Sequence, residues 1–296
     1  MAGVDLARAA ARVAVIIVNY RSYDELRGCL RSLEPVSPDA QVVVVDHHSD
    51  KAAADSLARD FPGVQVIRVS GNEGFAAGVN RGAASVHTPY LLLLNPDSIA
   101  DADVCRTLAD WMDANPDVGA AGPRIRNTDG SIQASARRFP DLTTGIAGRS
   151  SWLTRVLPGN PLSRHNLGSG RMGSSAADVD WVSGACMMIR RDAFDAVGGM
   201  DPGFFLYWED ADFCRRLTRA GWRVRYHPAI SVVHTGARSS RHAADASLVA
   251  FHDSAYRLFS KHASPPARLL SPLVYVALQA RLALMRRIVR AREHGG

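Results

Sequence analysis

RVAVIIVNYRSYDELRGCLRSLEPVSPDAQVVVVD (Arg12–Asp46) carries the pattern that decides the fold. Val13–Val18 is a continuous apolar run rich in β-branched residues, which favour a buried strand. Asp24–Leu33 then spaces its apolar residues at helical intervals, and Gln41–Val45 returns to a strand-like run. The alternation continues through a helix at Ala52–Asp60, a strand at Val64–Val69, a glycine-rich turn into a helix at Ala76–Val86, a strand at Tyr90–Leu94 and a helix at Asp101–Ala114. Short apolar strands alternating with helices imply an α/β chain with a mostly parallel central sheet covered on both faces.

Beyond this half the rhythm changes. Pro140–Asp178 is rich in Gly, Ser, Asn and Pro and reads as loop. Order returns at Trp181–Ile189, followed by a helix at Glu209–Ala220, strands at Arg223–Tyr226 and Ser231–His234, and helices from Ala246 onward.

With 296 residues, 47% of them hydrophobic, the chain can bury one substantial core, or one core plus a small appended lobe. Charged residues at 22% and aromatics at 7% place it among globular proteins and not disordered ones. Cys29, Cys105, Cys186 and Cys214 lie far apart with no C-x-x-C pair, so they read as buried, reduced thiols of a cytosolic protein and not as a zinc site. VAVIIV is followed by Asn19 and Tyr20, which suits a first strand better than a cleaved leader. No stretch offers the ~20 apolar residues of a membrane span, so a soluble or peripheral protein is expected.

The formal charge of +6 is concentrated at one end. Arg268, Arg281, Arg286, Arg287, Arg290 and Arg292 face only Glu293 in the tail, leaving the body near neutral. A basic tail on a neutral body suggests a local anionic partner and not a nucleic-acid groove. On a helical projection, Leu270, Leu273, Val274, Ala277, Leu278, Leu284, Met285 and Ile288 gather on one face, interrupted by Arg281. A basic amphipathic helix over 264–296 fits a bilayer interface; packing on the domain, or on a second copy in a homodimer, is the other reading.

Four motifs carry chemistry. Asp46 ends the strand QVVVVD, where ligands of open parallel sheets bind, and suits a pyrimidine N–H or a ribose hydroxyl; a cap for the next helix is the structural alternative. In GNEGFAAGVNRG (Gly71–Gly82) a glycine turn precedes a helix whose N-terminus suits diphosphate, and Asn80 follows one turn on. LLLLNPDS (Leu91–Ser98) brings Asp97 out at a strand end, as an oxygen ligand for Mg2+ or Mn2+ or as a cap for Asp101–Ala114. FFLYWEDADFCRRL (Phe204–Leu217) sets Glu209, Asp210 and Asp212 after an aromatic run. They are ordinary first-turn acids of a helix, or carboxylates beside a sugar-holding wall. His234, ending SVVHTG, is by itself a satisfied core histidine or a ligand.

In this order, VAVIIVNYRS, VVVVDHHSD, GNEGFAAGVNRG, LLLLNPDS, WVSGACMMIRR, FFLYWEDADF and SVVHTG resemble the family 2 glycosyltransferases of the GT-A fold, from about Val13 to Phe259. DGSIQASARRFP (Asp129–Pro140) is similar to the bacterial cell-wall rhamnosyltransferases among them. The resemblance implies a catalytic domain over 1–263, with a nucleotide half at about 13–123 and an acceptor half at about 124–263. It also implies roles: Val18, Tyr20 and Asp46 around the nucleotide, with Gly74 and Asn80 beside it. Asp97 and His234 would hold a divalent metal, and Asp210 would be the general base. Trp208 and Glu209 would shape the sugar and acceptor sites, and the strand Gly184–Met188 would lie under the acceptor. Two departures stand out. His47 replaces the usual Asn and Lys51 the last Asp of D-N-x-S-x-D, and N-P-D carries a single carboxylate.

A metal and a helix N-terminus neutralise a departing diphosphate, and one base without a carboxylate nucleophile favours inversion. The expected reaction is transfer of L-rhamnose from its deoxythymidine diphosphate to a polyprenyl-diphosphate-linked saccharide. It would take place on the inner face of the plasma membrane, in cell-wall or surface polysaccharide assembly. Transfer of galactofuranose or another sugar from uridine diphosphate is the alternative. A sugar nucleotidyltransferase would need a glycine-rich loop where VNYRSY stands, and a carbohydrate-binding module would not need Asp97, Asp210 and His234 together.

Overall fold

Alternate residues of the first strand, β1 (Val13–Asn19), enter opposite hydrophobic clusters: Ala14 and Ile16 on one face, Val13, Val15 and Ile17 on the other. The same division separates Val43 and Val45 from Val44 in β2 (Gln41–His47), and Leu91 and Leu93 from Leu92 and Leu94 in β4 (Tyr90–Leu94). Side chains alternate across a strand, so a sheet covered on both faces needs an unbroken apolar run. The computed structural model describes residues 11–47, 50–139, 175–236 and 244–293, so the stretch read as loop lies almost wholly outside the described residues.

The helices α1 (Tyr23–Val36), α2 (Lys51–Asp60) and α3 (Phe75–Ala84) connect β1, β2, β3 (Gln65–Val69) and β4, which all run parallel. After β5 (Ser98–Ala100) and α4 (Val104–Asp113) antiparallel strands join this parallel half, and the sheet becomes mixed. β11 (Cys186–Arg190) enters between β4 and β6 (Val118–Arg126) antiparallel to both, and gives the order β3-β2-β1-β4-β11-β6-β12-β5. The two-stranded pairing of β8 (Ala136–Arg137) with β10 (Trp181–Val182) stands apart from this sheet.

β12 is one strand, Arg223–His234, where two were expected; its register shifts between His227 and Ser231. Pro228 lies in that interval and has no N–H for the ladder, so the strand bulges without ending. β7 (Ile132–Gln133) pairs with β6, β8 (Ala136–Arg137) with β10, and β9 (Ala177–Asp178) with β12. The stretches expected to form two halves, about 13–123 and 124–263, therefore share one continuous sheet, because β6 runs through residues 123 and 124.

After α5 (Arg191–Ala196), α6 (Glu209–Arg219) carries the acidic run and α7 (Ala244–His262) braces it. Asp212 is fully buried and receives Nε2 of His262 at 2.7 Å, Nζ of Lys261 at 2.8 Å and Nε of Arg216 at 2.8 Å. Following the short α8 (Pro265–Arg268), α9 (Ser271–Glu293) packs along α7. The single apolar face read from the sequence splits in two. Val274, Leu278 and Met285 are partly buried beside buried Leu282, whereas Leu273, Val276 and Leu284 are exposed. Arg281, which interrupts the apolar face, turns inward to Nε2 of His252 at 2.9 Å and over the Phe251 ring.

Candidate active site

Four buried leucines end β4, and the Asn95–Pro96–Asp97 turn carries the chain into β5, which pairs His234 with Ser98 across β12. That register sets Oδ1 of Asp97 3.1 Å from Nε2 of His234. The turn is locked from below, because main-chain O of Asp97 accepts from N of Thr235 at 3.0 Å. Burial alone would raise the Asp97 carboxyl, but the His234 imidazole and backbone N–H groups outweigh it and hold it below the ordinary carboxylate range. Asp97 is not the helix cap: Asp103 caps α4 by accepting from N of Arg106.

The donor set fits a hard divalent cation. Two ligands at adjacent corners of an octahedron, each about 2.1 Å from Mg2+, stand about 3.0 Å apart, close to the separation observed. Among the described residues no group of three or more His, Cys, Asp and Glu gathers, and two protein ligands suit a cation that shares its shell with substrate phosphates.

Tyr207 and Trp208 both adopt φ of 68°, a left-handed pair directly before α6. Such strain persists only where the surroundings impose it. Here Ser254 on α7 donates to main-chain O of Leu206 at 2.9 Å, and the Phe251 ring stands 5.3 Å from Trp208. The Trp208 ring also faces Trp181, and its Nε1 is buried without a partner among the described residues. Glu209 is buried and its Oε2 is likewise unpartnered. Burial first, then the charge of Asp210, push the Glu209 carboxyl well up.

Asp210 is better satisfied. Its Oδ2 accepts from N of Gly184 at 3.1 Å and its Oδ1 from N of Ala211 at 2.8 Å. Burial raises its carboxyl; the backbone N–H groups and the charge of Arg137 offset part of the rise. Ala185, next to Gly184, accepts from N of Asn95 at 3.0 Å, so one dipeptide joins the Asp210 and Asp97 turns. Gly184 itself lies in the turn before β11, not within a strand as expected.

The nucleotide-side residues are more heterogeneous. Val18 and Tyr20 close β1 at the rim, both partly buried. Asp46 is fully buried; its Oδ1 accepts from Nδ2 of Asn19 at 2.8 Å and its Oδ2 from Oη of Tyr23 at 2.9 Å. It is no helix cap, since Asp50 fills that role on α2.

Gly74 has φ of 88°, and N of Phe75 donates to main-chain O of Phe205 at 2.9 Å. The helix N-terminus expected to face diphosphate thus docks the loop that leads into the acidic run of α6. Asn80 is also reassigned: Nδ2 donates to O of Met200 at 2.8 Å and Oδ1 accepts from N of Met200 at 2.9 Å. With both ends of its amide on the protein, it clamps that same loop.

Comparison with known proteins decides the family. The family described as "Glycosyltransferase like family 2" matches residues 10–248. The chain is a family 2 glycosyltransferase. Its relatives include the N-acetylglucosaminyl-diphospho-decaprenol L-rhamnosyltransferase of Mycobacterium tuberculosis, 32% identical over 258 residues that cover 82% of each chain. The rhamnosyltransferase WbbL of Escherichia coli K12 is 27% identical, covering 77% of this chain and 85% of its own. The glycosyltransferase also shares its fold with GalNAc-T7 bound to UDP, GalNAc and Mn2+ (TM-score 0.60, 16% identity), covering 84% of this chain but spanning about half, 48%, of that one. A mannosyltransferase of Pyrobaculum calidifontis with GDP-Man and Mn2+ aligns with TM-score 0.57 at 18% identity, over 93% of this chain and 75% of its own. These neighbours place the glycosyltransferase in the GT-A fold.

Asn19, Tyr23 and Gln133 were not singled out from sequence. Asn19 and Tyr23 flank the end of β1, where a strand-end polar residue signals a site, and Gln133 lies within the stretch similar to rhamnosyltransferases. Beside Gln133 a cavity of about 270 Å³ is lined by Ser135, Arg137 and Ser183 among others.

Proposed function

We propose that this glycosyltransferase moves L-rhamnose from dTDP-rhamnose, with inversion, to a saccharide carried on polyprenyl diphosphate. The observation that carries the reading is the Gly184–Ala185 dipeptide, which holds Asp210 on one side and the Asp97 turn on the other. Asp210 accepts the proton of the acceptor hydroxyl as that oxygen bonds to the anomeric carbon. The bond from that carbon to the diphosphate oxygen breaks, and its electron pair leaves with the nucleoside diphosphate. Asp97 and His234 would hold Mg2+ or Mn2+, which supplies charge neutralisation at the leaving diphosphate. Trp208 offers a ring face and Glu209 an unpartnered oxygen for sugar and acceptor hydroxyls. Asp46, with Asn19 and Tyr23, lies under the base. The sugar and acceptor are supported by relatives whose names specify rhamnose and a diphospho-decaprenol carrier.

A lipid-linked acceptor stays at the bilayer, and α9 supplies a surface for it. Among the described residues no helix is long and apolar enough to cross a membrane. Yet Leu269 and Leu270 just before α9, with Leu273, Tyr275, Val276 and Leu284 on it, are six of the eight exposed large hydrophobics among the described residues, with Arg268 and Arg287 exposed at either end. An apolar stripe edged by arginines complements an anionic bilayer on the inner face of the plasma membrane. It also lies one helix behind the aromatic run, because α9 packs on α7 and Phe251 of α7 touches Trp208.

A donor panel tests the reading. Purified enzyme with a short polyprenyl-diphosphate acceptor should release dTDP from dTDP-rhamnose, should do so less or not at all with UDP-galactofuranose, and should stop with EDTA. Release from UDP-galactofuranose alone would replace the donor, and turnover indifferent to EDTA would remove the metal.

A further inference from the structure

His234 is gripped on its far side by Gln133. Nε2 of Gln133 donates to main-chain O of His234 at 2.9 Å and to Oδ1 of Asn127 at 2.6 Å, while Oε1 of Gln133 lies 3.0 Å from Nδ1 of His234. The amide is fixed in this orientation, because turning it would set an oxygen against a main-chain carbonyl. Asn127 is fixed in turn, its Nδ2 donating to Oγ of Ser131. An amide oxygen accepts only, so the Gln133 contact requires the hydrogen on Nδ1. To bind a cation the ring must be neutral, and it then presents its lone pair at Nε2, where Nδ2 of Asn95 also lies 3.2 Å away. That lone pair faces Oδ1 of Asp97 at 3.1 Å.

We propose that Gln133 is a positioning residue that holds His234 with its proton on Nδ1 and its Nε2 lone pair aimed at Asp97, and so prepares the pair for a divalent cation. The proposal rests on the reading of Asp97 and His234 as a cation site. Gln133 touches neither substrate nor reacting atoms and acts only through the imidazole. Its register on β7 explains its reach: Gln133 pairs with Ile125 of β6, and β6 lies beside β12, which ends at His234. Removing such an outer partner of a histidine ligand costs about 10–100-fold in metal affinity.

The test is Mn2+ binding, followed by electron paramagnetic resonance in the presence of dTDP, together with thermal denaturation. Gln133→Met removes acceptor and donor, and should weaken Mn2+ binding by about 10–100-fold. Gln133→Glu keeps an acceptor for Nδ1–H but sets its second oxygen against the His234 carbonyl. It should therefore lower Tm while holding Mn2+ near the wild-type affinity. That opposite split separates positioning from a packing role, in which Mn2+ affinity would follow Tm in both variants. Wild-type affinity in Gln133→Met, or equal loss in both variants, overturns the proposal and leaves the cation site standing. Wild-type protein that binds no Mn2+ overturns the cation site and the proposal with it.

Discussion

The main-chain N–H of Gly184 donates to Oδ2 of Asp210 at 3.1 Å, and the neighbouring Ala185 accepts from Asn95 at 3.0 Å. The spacing between Asp210 and the Asp97 turn is therefore set by backbone. A Cβ at Gly184 would lie 3.3 Å from the Phe75 ring and 3.8 Å from Cβ of Asp210. Gly184→Val should displace Asp210 and lower kcat on the order of 10²-fold, as misplacement of about 1 Å does. Donor KM should change little, and steady-state kinetics checks both values.

Gly74 shows how the loop before α6 is docked. A Cβ there would stand 2.4 Å from main-chain O of Phe205, and the residue has φ of 88°. Left-handed strain alone costs about 1–3 kcal/mol, and the clash adds to it. Gly74→Ala should lower Tm and activity together, and Gly71→Ala, which meets nothing within 4 Å, serves as the control.

Asp212 ties α6 to its brace, α7. Burial would raise its carboxyl, but His262, Lys261 and Arg216 overcome that and hold it far below the ordinary range. A depressed folded-state pKa contributes stability that is present above the unfolded value of about 3.9 and is lost as pH falls below it. Asp212→Asn should cost about 3–5 kcal/mol at neutral pH, because it leaves buried cations unpaired. Urea titrations should show the gap between variant and wild type narrowing in acid.

Much of this architecture is legible in the chain. Buried runs such as VAVIIV and LLLL announce strands covered on both faces, and polar residues at their ends announce the site. Partner choice is not legible. Asn80 and Gly74 carry the residue types of a nucleotide turn, yet both are engaged by Met200 and Phe205, residues brought near only by tertiary folding. The antiparallel entry of β11 is equally hidden, because a buried strand reads the same in either direction. In α9 the helical period is correct, but a projection cannot tell which side of a broad apolar face packs on α7.

The outward stripe of α9 should bind lipid. Leu273→Ser combined with Val276→Ser should reduce sedimentation with phosphatidylglycerol vesicles while leaving Tm and donor binding near wild type, since both side chains are exposed. Unchanged sedimentation together with a shift from dimer to monomer would assign the stripe to a second copy of the chain.

Turnover of Asp210→Asn tests the central claim most directly. As the proposed base, Asp210 would act only when ionised, and burial raises its carboxyl, so the acid limb of kcat/KM should lie above the ordinary aspartate value of about 3.9. With dTDP-rhamnose and a polyprenyl-diphosphate saccharide, Asp210→Asn should bind donor as wild type does and should lose about 10²–10⁴-fold in kcat, with that limb abolished. Near-normal turnover with the limb intact would contradict Asp210 as the base.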